Sequence, residues 1–236
     1  MSYTSRPQHQ RGITGLETAI ILIAFVLVGS VFAFTVLSSG VQASGQSRTQ
    51  VQTSLRDIQN TLSLRGATIG FAARLGSADV LYKVSFTVTT AMPNEGVDLT
   101  PPYTAGDTGV DPDAVAGAQY VTVISYLDKD QYLSDIPWSV RFVGSNNGDK
   151  VLDRDEVAEI TVWLLDRDMA KAVTEDDSVA YMNGTTDGGG AGGFTSTNTP
   201  VVRGKEFTLE IRPPKGQVTS LNRTIPDSVT AVMDLR

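Results

Sequence analysis

The sequence contains no cysteine and a single histidine, His9, and both shortages restrict what the protein can do. Without cysteine there is no disulfide, no thiolate nucleophile and no zinc–cysteine site. Histidine is the commonest general base at neutral pH and the commonest ligand of catalytic metals. The paired carboxylates of Asp166 and Asp168 lie in a segment typical of a solvated loop. The sequence therefore predicts a protein that is not an enzyme.

Basic residues are also scarce, with 19 Lys and Arg against 26 Asp and Glu and a net charge of -7. Binding to a nucleic-acid backbone needs clustered basic side chains that replace counterions, so we expect no nucleic-acid partner. The length of 236 residues and the hydrophobic fraction of 41% are sufficient for one large or two small domains with a packed core.

Residues 18–37 carry no charge, and their apolar side chains fall on all sides of a helical wheel. At about 1.5 Å per residue this run spans about 30 Å, the thickness of the hydrocarbon core of a bilayer. Arg6 and Arg11 precede it, and Glu17 stands at its start. A secretory signal cut after Ala43 would have a shorter apolar region. A permanent membrane anchor would leave Glu17 without a partner in the membrane.

Beyond residue 37 the chain becomes polar, but its apolar residues still follow helical spacing. Val51, Leu55, Ile58 and Leu62 form a stripe with steps of four, three and four residues. The pattern predicts one helix from about Ile13 to about Leu64, so that residues 13–65 form a first domain after a leader of residues 1–12. Such a helix needs partners along its whole length, either lipid or copies of itself, and an aspartate at Leu55 should block assembly.

From Gly66 onward the hydrophobic period changes to two, which is typical of half-buried strands. Turn-rich segments separate the strand-like runs, and no helical spacer lies between them. The pattern predicts an α+β protein in which residues 66–236 form an antiparallel, immunoglobulin-like β-sandwich. The predicted strands are residues 79–90, 119–127, 138–143, 158–165, 205–212 and 228–235.

The stretch "RGITGLETAIILIAFVLVGSVFAF" resembles the N-terminus of archaellins, the archaeal flagellins. These proteins share a class III signal peptide with type IV pilins, and a prepilin-type peptidase cuts it after a basic–glycine pair. The pair here is Arg11–Gly12, so the mature chain would begin at Ile13, with Gly15 and Glu17 as its third and fifth residues. Only one basic residue adjoins Gly12, whereas many family members have two or more.

The resemblance implies a structural subunit of the archaellum, a homo-oligomeric helical filament for swimming that can include other archaellins. Its partners would be the peptidase and the archaellum export and assembly machinery. The precursor would lie in the cytoplasmic membrane and the assembled filament outside the cell. We expect Glu17 to pair inside the filament with the new α-amino group of Ile13, on the same or a neighbouring subunit, and to set the register. The alternative is that Glu17 serves only recognition by the peptidase.

The segment "SNNGDKVLDRDE" resembles the calcium loop of EF-hands. Two positions depart from the pattern, with serine at position one and lysine at the turn glycine. Because the flanks read as strands, we expect a structural Ca²⁺ site in a β-domain. Its predicted ligands are Ser145, Asn147, Asp149, the carbonyl of Val151, Asp153 and Glu156.

Two sequons, at Asn183 and Asn222, predict N-glycosylation of the kind that the family resemblance implies. Two alternative functions share these features. An adhesive type IV pilin would have the same signal and helix, and a membrane-tethered, calcium-dependent binding module would keep its leader and remain a monomer.

Overall fold

The structure is a computed structural model. It describes residues 10–59, 61–91, 96–105, 112–183 and 192–235, and of residues 10–14, 53 and 55–59 it describes the backbone alone. The chain divides into two compact units, Met1–Ser54 and Leu55–Arg236. Helix α1 spans Gln10–Gln59, and fifteen short or long strands follow it in the described residues.

Helix α1 is 50 residues long, and its first half is apolar on every side. The large apolar side chains between residues 16 and 37 are between 55% (Val36) and 77% (Phe25) exposed. The hydroxyls of Ser30 and Thr35 donate to the carbonyls of Leu27 and Phe32, each at 2.8 Å. These two polar groups are therefore satisfied within the helix itself. By length and composition the helix is able to cross a membrane.

The predicted end of the helix, and with it the domain boundary at residues 65 and 66, is wrong. Helix α1 ends at Gln59, and strand β1 begins at Leu62. The side chain of Leu62 is only 3% exposed, and Leu62 pairs with Thr90 across two strands. Leu62 is therefore a core residue and not a member of the helical stripe, because pairing with a neighbouring strand outweighs local helical spacing. The helix also begins three residues before Ile13.

In chain order, the fifteen described strands have the following bounds. They are β1 (Leu62–Leu75), β2 (Ala78–Thr90), β3 (Val97–Asp98), β4 (Tyr103–Ala105), β5 (Pro112–Ala114), β6 (Val123–Asp128), β7 (Tyr132–Leu133), β8 (Trp138–Phe142), β9 (Val151–Leu152), β10 (Ala158–Trp163), β11 (Asp166–Arg167), β12 (Val179–Ala180), β13 (Glu206–Arg212), β14 (Thr219–Thr224) and β15 (Val232–Leu235).

Two antiparallel sheets build the head, as the sequence predicts. One has five strands in the order β15–β1–β2–β10–β8, and the other has four in the order β14–β13–β6–β7. The pairs β3–β9, β4–β5 and β11–β12 complete the described part of the head. Each of the six predicted runs contains a strand, namely β2, β6, β8, β10, β13 and β15. Strands β1 and β14 were not predicted, because β1 is rich in small residues and β14 is polar.

A single apolar core lies between the two sheets. Strand β2 contributes Val84, Phe86 and Val88 to it, and the four-stranded sheet contributes Tyr126 and Phe207. The rings of Tyr126 and Phe207 stack with their centroids 5.8 Å apart. Each such side chain stabilises the fold by about 1.5 to 3 kcal/mol on burial, so the core supplies the stability that disulfides would otherwise add. The alternation of β2 directs Lys83, Ser85 and Thr87 to the opposite face of its sheet.

Candidate assembly surface and head loops

The apolar surface of helix α1 is the largest exposed apolar feature of the described residues. Its large apolar side chains from Leu16 to Val41 are all more than half exposed. Soluble monomers rarely expose contiguous apolar patches above a few hundred Å², so this surface requires a partner along its length. Lipid and further copies of the same helix are the two partners whose chemistry matches it.

The start of this helix contains four residues of the predicted cleavage and assembly sites, namely Gly12, Ile13, Gly15 and Glu17, and contacts within the described chain do not account for them. Gly12 and Ile13 are helical, and the side chain of Ile13 lies outside the described residues. A Cβ atom on Gly15 would meet no atom within 4 Å, so intrachain packing does not demand glycine there. Glu17 is exposed. Both Gly15 and Glu17 are thus free to meet a group from another molecule.

The predicted helical stripe is only partly described. Val51 is 58% exposed. The side chains of Leu55 and Ile58 lie outside the described residues, although their backbone is helical. With Leu62 in the core of the head, three residues of the stripe remain as a predicted contact surface.

The predicted calcium loop brings three of its polar side chains together. Nδ2 of Asn147 lies 3.0 Å from Oδ2 of Asp149 and 3.1 Å from Oδ2 of Asp153, so the two carboxylates converge on one donor. Oδ1 of Asn147 accepts the backbone N–H of Asp149, and Oδ1 of Asp149 accepts that of Val151. These local bonds hold the loop in a series of tight turns.

Glu156 closes the same loop. Its Oε1 accepts the N–H of Asn147 and its Oε2 accepts the N–H of Asp153, both at 3.0 Å. The side chain is 7% exposed. Ser145 is exposed, and Val151 opens strand β9, which pairs with β3. In the described residues no three His, Cys, Asp or Glu side chains are grouped to hold a metal ion.

Both sequon asparagines are exposed. Asn222 lies on β14, an outer strand of the four-stranded sheet, and its Nδ2 donates to Oε1 of Glu206 at 2.8 Å. Asn183 is the last described residue before residues 184–191, which include the rest of its sequon. An exposed asparagine is accessible to a glycosyltransferase at either position.

A buried ion pair between β6 and the start of β13 has no signal in the sequence. Nζ of Lys205 lies 2.9 Å from Oδ2 of Asp128 and 3.4 Å from Oδ2 of Asp130. The side chains of Lys205 and Asp128 are 7% and 0% exposed. The hydroxyl of Tyr126 donates to Oδ2 of Asp128 at 2.6 Å. Two residues 77 positions apart meet here, so only the strand pairing reveals the contact.

These donors decide the ionisation of Asp128. Burial alone would raise the pKa of its carboxyl group. The hydrogen bonds from Tyr126, Lys205, the N–H of Asp130 and Gln131 outweigh burial, so the pKa of Asp128 lies below its ordinary value. Burial and the hydrogen bond to Asp128 raise the pKa of Tyr126. Asp128 is therefore ionised at neutral pH, and its contact with Lys205 links β6 to the start of β13.

A long helix that exposes apolar side chains all round, and a two-sheet head with its own core, define a subunit that associates through its helix. The sequence model of the archaeal-type flagellin family matches residues 12–223, and this chain belongs to that family. Archaeal flagellins are structural proteins of filaments and not a family of enzymes.

Individual relatives match over almost their whole length. The chain is 28% identical to the probable flagellin 1 of Archaeoglobus fulgidus over 229 residues, which cover 97% of this chain and 96% of that protein. It is also 28% identical to the probable flagellin 2 of the same organism, with 94% and 92% covered. The solved archaeal flagellum of Methanospirillum hungatei is similar with a TM-score of 0.49 at 20% identity, over 94% of this chain and 98% of that one.

Proposed function

We propose that this chain polymerises through helix α1 into the archaellum, the extracellular swimming filament of archaea. The observation that carries the proposal is the apolar surface of α1, exposed on every side in a member of the archaeal-type flagellin family. The head keeps its own core, so it can remain folded while the helix changes partners. The family match favours this function over an adhesive pilin or a binding module that never polymerises.

Withdrawal of the helix from lipid into a filament gains little from the hydrophobic effect, because lipid tails are as apolar as leucine. Close side-chain packing and polar contacts must then supply most of the association energy. Gly15, Gly29 and Gly40 have no side chain and no atom within 4 Å of a Cβ, so each leaves room for a neighbouring helix. This is why a few specific contacts, and not bulk hydrophobicity, would set the register of the filament.

We propose further that maturation removes residues 1–12 by cleavage between Gly12 and Ile13. A prepilin-type peptidase would perform it while α1 lies in the membrane, with Arg6 and Arg11 on the cytoplasmic side. The export and assembly machinery of the archaellum would then receive the mature subunit. Within the described residues nothing lies near a Cβ of Gly15 and Glu17 is exposed, which supports a role of both residues in these intermolecular steps.

Native filaments provide the test. Electron microscopy should show a helical filament, and N-terminal sequencing of its subunit should begin at Ile13. A start at Ser44 would mean that the apolar helix is a discarded signal, and the proposal would fail. Monomers in the membrane fraction that keep residues 1–12 would indicate a tethered binding module instead. The intact mass also reports whether glycans are attached. We propose Asn183 and Asn222 as the attachment sites.

Replacement of Glu17 by alanine should leave cleavage intact but reduce the number of filaments at least tenfold. The reason is that the α-amino group of Ile13 would lose its carboxylate partner in a dry interior. Immunoblots separate precursor from mature subunit, and microscopy counts filaments. Glu17→Gln, which keeps the shape and removes the charge, should behave in the same way. If mature Glu17→Ala subunits assemble at the wild-type rate, the pairing is refuted.

We also propose that the loop between β8 and β10 binds a structural Ca²⁺ ion through Asn147, Asp149 and Asp153. The support is that the carboxylates of Asp149 and Asp153 converge on one donor, Nδ2 of Asn147. A cation that prefers oxygen ligands can take the place of that donor between the two carboxylates. An ion there would tie the loop together in a head that has no disulfide.

Saturating Ca²⁺ should stabilise the full chain in detergent against heat. At 100 times the dissociation constant the gain is about 2.7 kcal/mol, or about 5 to 10 °C in Tm. Asp153→Asn should abolish the difference between Ca²⁺ and a chelator. Asp155→Asn is the matched control, because Asp155 is exposed and pairs only with Arg154 among the described residues. An unchanged Tm in wild-type protein would reject the site.

A further inference from the structure

The outer face of the five-stranded sheet contains a cavity of about 340 Å³. Strands β1, β2, β8 and β10 line it with side chains on the face away from the core, and Ala105 of β4 completes the described lining. Its volume is near the lower end of the roughly 300 to 1,000 Å³ typical of ligand pockets. A cavity of this size accommodates a single side chain or a small molecule, but not a folded segment.

Lys83 is the buried cation of this cavity. It pairs with Phe71 on β1 and with Trp163 on β10, so the three side chains form one row across the sheet. Nζ of Lys83 lies 4.5 Å from the ring centroid of Phe71 and 4.8 Å from that of Trp163. The residue is only 9% exposed. Two aromatic faces thus hold the ammonium group at the wall of the cavity.

Among the described residues, the neighbouring charges leave Lys83 without an ion-pair partner. Glu159 also lines the cavity, but its Oε1 accepts the hydroxyl of Ser85 at 2.7 Å and its Oε2 accepts Nε of Arg141 at 3.1 Å. No carboxylate of the described residues lies within the 4.0 Å limit for an ion pair with Nζ of Lys83. Because Arg141 and Glu159 neutralise each other, the described lining carries one net positive charge.

The rings do not fully compensate an ammonium group that has left water. A cation–π contact recovers only part of the hydration energy that an ammonium group loses on burial. Burial accordingly lowers the pKa of Lys83, and the field of Glu159 opposes this effect. A monovalent anion in the cavity would neutralise the net charge of the described lining and stabilise the buried ammonium group of Lys83.

We propose that this cavity binds a side-chain carboxylate of a neighbouring copy of the chain. The inference rests on the proposed function, because only assembly places a second head beside this one. The chain has 26 acidic and 19 basic residues, so a neighbouring copy presents carboxylates more often than cations. The hydroxyl of Ser139, which accepts Nε1 of Trp163 at 3.1 Å, keeps its own proton for a second hydrogen bond to the carboxylate.

Zero-length cross-linking with a carbodiimide tests the contact in the intact protein. The carbodiimide converts a carboxylate to an O-acylisourea, and an amine close enough to attack it forms an amide while the reagent leaves as its urea. Purified filaments, and the same full-length subunits dissociated in detergent, are treated in parallel and mapped by mass spectrometry. We expect a link from Lys83 to an acidic peptide in filaments, and at least a tenfold lower yield of that link in dissociated subunits.

Three other outcomes are distinguishable. A link of equal yield in both samples means that the carboxylate belongs to the same chain, for example Asp107 or Asp111 outside the described residues, and overturns the inference. Intact filaments without any Lys83 link also overturn it and leave the rings as the only support of the ammonium. If no filaments exist, the proposed function itself fails and the inference with it.

Lys83→Met gives an independent readout, because it keeps the stem between the rings and removes the charge. Its filaments should dissociate at least tenfold faster on heating, whereas the Tm of the detergent-solubilised subunit should stay equal or rise. A purely structural lysine would instead lower the subunit Tm. Lys215→Met is the matched control, since Lys215 is exposed and makes the same change in net charge. Wild-type dissociation of Lys83→Met filaments would contradict the proposal.

Discussion

Replacement of Phe25 by aspartate is expected to abolish filaments. Phe25 is 77% exposed and stands in the middle of the charge-free run of α1. In a filament built on this helix, the new carboxylate would be buried among apolar side chains without a cation to pair with. The cost of such an unpaired charge is several kcal/mol for each subunit, and because the defect repeats along the polymer, assembly should fall by more than 100-fold. Electron microscopy and sedimentation of cell-surface fractions measure it.

Two comparisons separate failed assembly from failed membrane insertion. A central aspartate adds about 2.5 to 3.5 kcal/mol to insertion of a helix, which the remaining apolar residues should tolerate, so the variant should still appear in the membrane fraction. Gln46→Asp places the same charge in the polar second half of α1, where the residue is exposed, and should assemble normally. Normal filaments from Phe25→Asp would show that the first half of α1 is not buried in the polymer.

Replacement of Lys205 by methionine is expected to produce the largest loss of stability in the head. It would leave the carboxylate of Asp128, whose side chain is 0% exposed, buried without its cation. Breaking a buried pair in this way costs about 3 to 5 kcal/mol, or about 6 to 20 °C in Tm for a domain of this size. Asp130→Asn is the control, since Asp130 is 41% exposed and its contact with Lys205 should contribute less than about 1 kcal/mol.

The pH dependence of this effect has a definite sign. The pKa of Asp128 is lower in the folded protein than in the unfolded chain. The stability that this carboxylate contributes is therefore fully present above its ordinary value of 3.8 and is lost as the pH falls through the folded pKa. The difference between wild type and Lys205→Met should be largest near neutral pH and should shrink below about pH 4. A difference that stays constant down to pH 2 would exclude the ion pair as its cause.

A double variant provides a further check on the same pair. Asp128→Asn combined with Lys205→Met removes both charges, so no buried ion remains unpaired. It should recover a large part of the stability lost in Lys205→Met, because replacing a whole buried pair is often close to neutral. If the two changes simply add, the residues do not interact.

The sequence predicted features whose cause is local and failed where the cause is a distant contact. The helix through the charge-free run and strand β2 follow from helical and strand periods, and both elements are confirmed. The half-buried pattern predicted for β2 is wrong, because residues 80–86 are buried throughout. Leu62 fits the helical stripe as well as any residue in it, and only its pairing with Thr90 makes it a strand residue. The sequence around Leu62 gives no information about Thr90, because the two residues are distant in the chain and meet only when it folds.

The same distinction applies to the sites. Ligand spacing placed Asn147, Asp149 and Asp153 in one loop, and the structure brings them together. Spacing did not reveal that Glu156 holds two backbone N–H groups, because that role depends on the fold of the loop and not on its composition. The contact between Lys205 and Asp128, and the row of Phe71, Lys83 and Trp163, depend on strand register alone.

The hydroxyls of Ser30 and Thr35 have a consequence for how a subunit can change its surroundings. Each donates to a carbonyl of its own helix, so neither needs a hydrogen-bond acceptor from the surrounding lipid or protein. A bilayer and the interior of a polymer are both dry, and this helix presents the same satisfied surface to each. Transfer between them then involves little rehydration of apolar area, and its heat capacity change should be small. The enthalpy of growth and dissociation of such a polymer would therefore vary little with temperature.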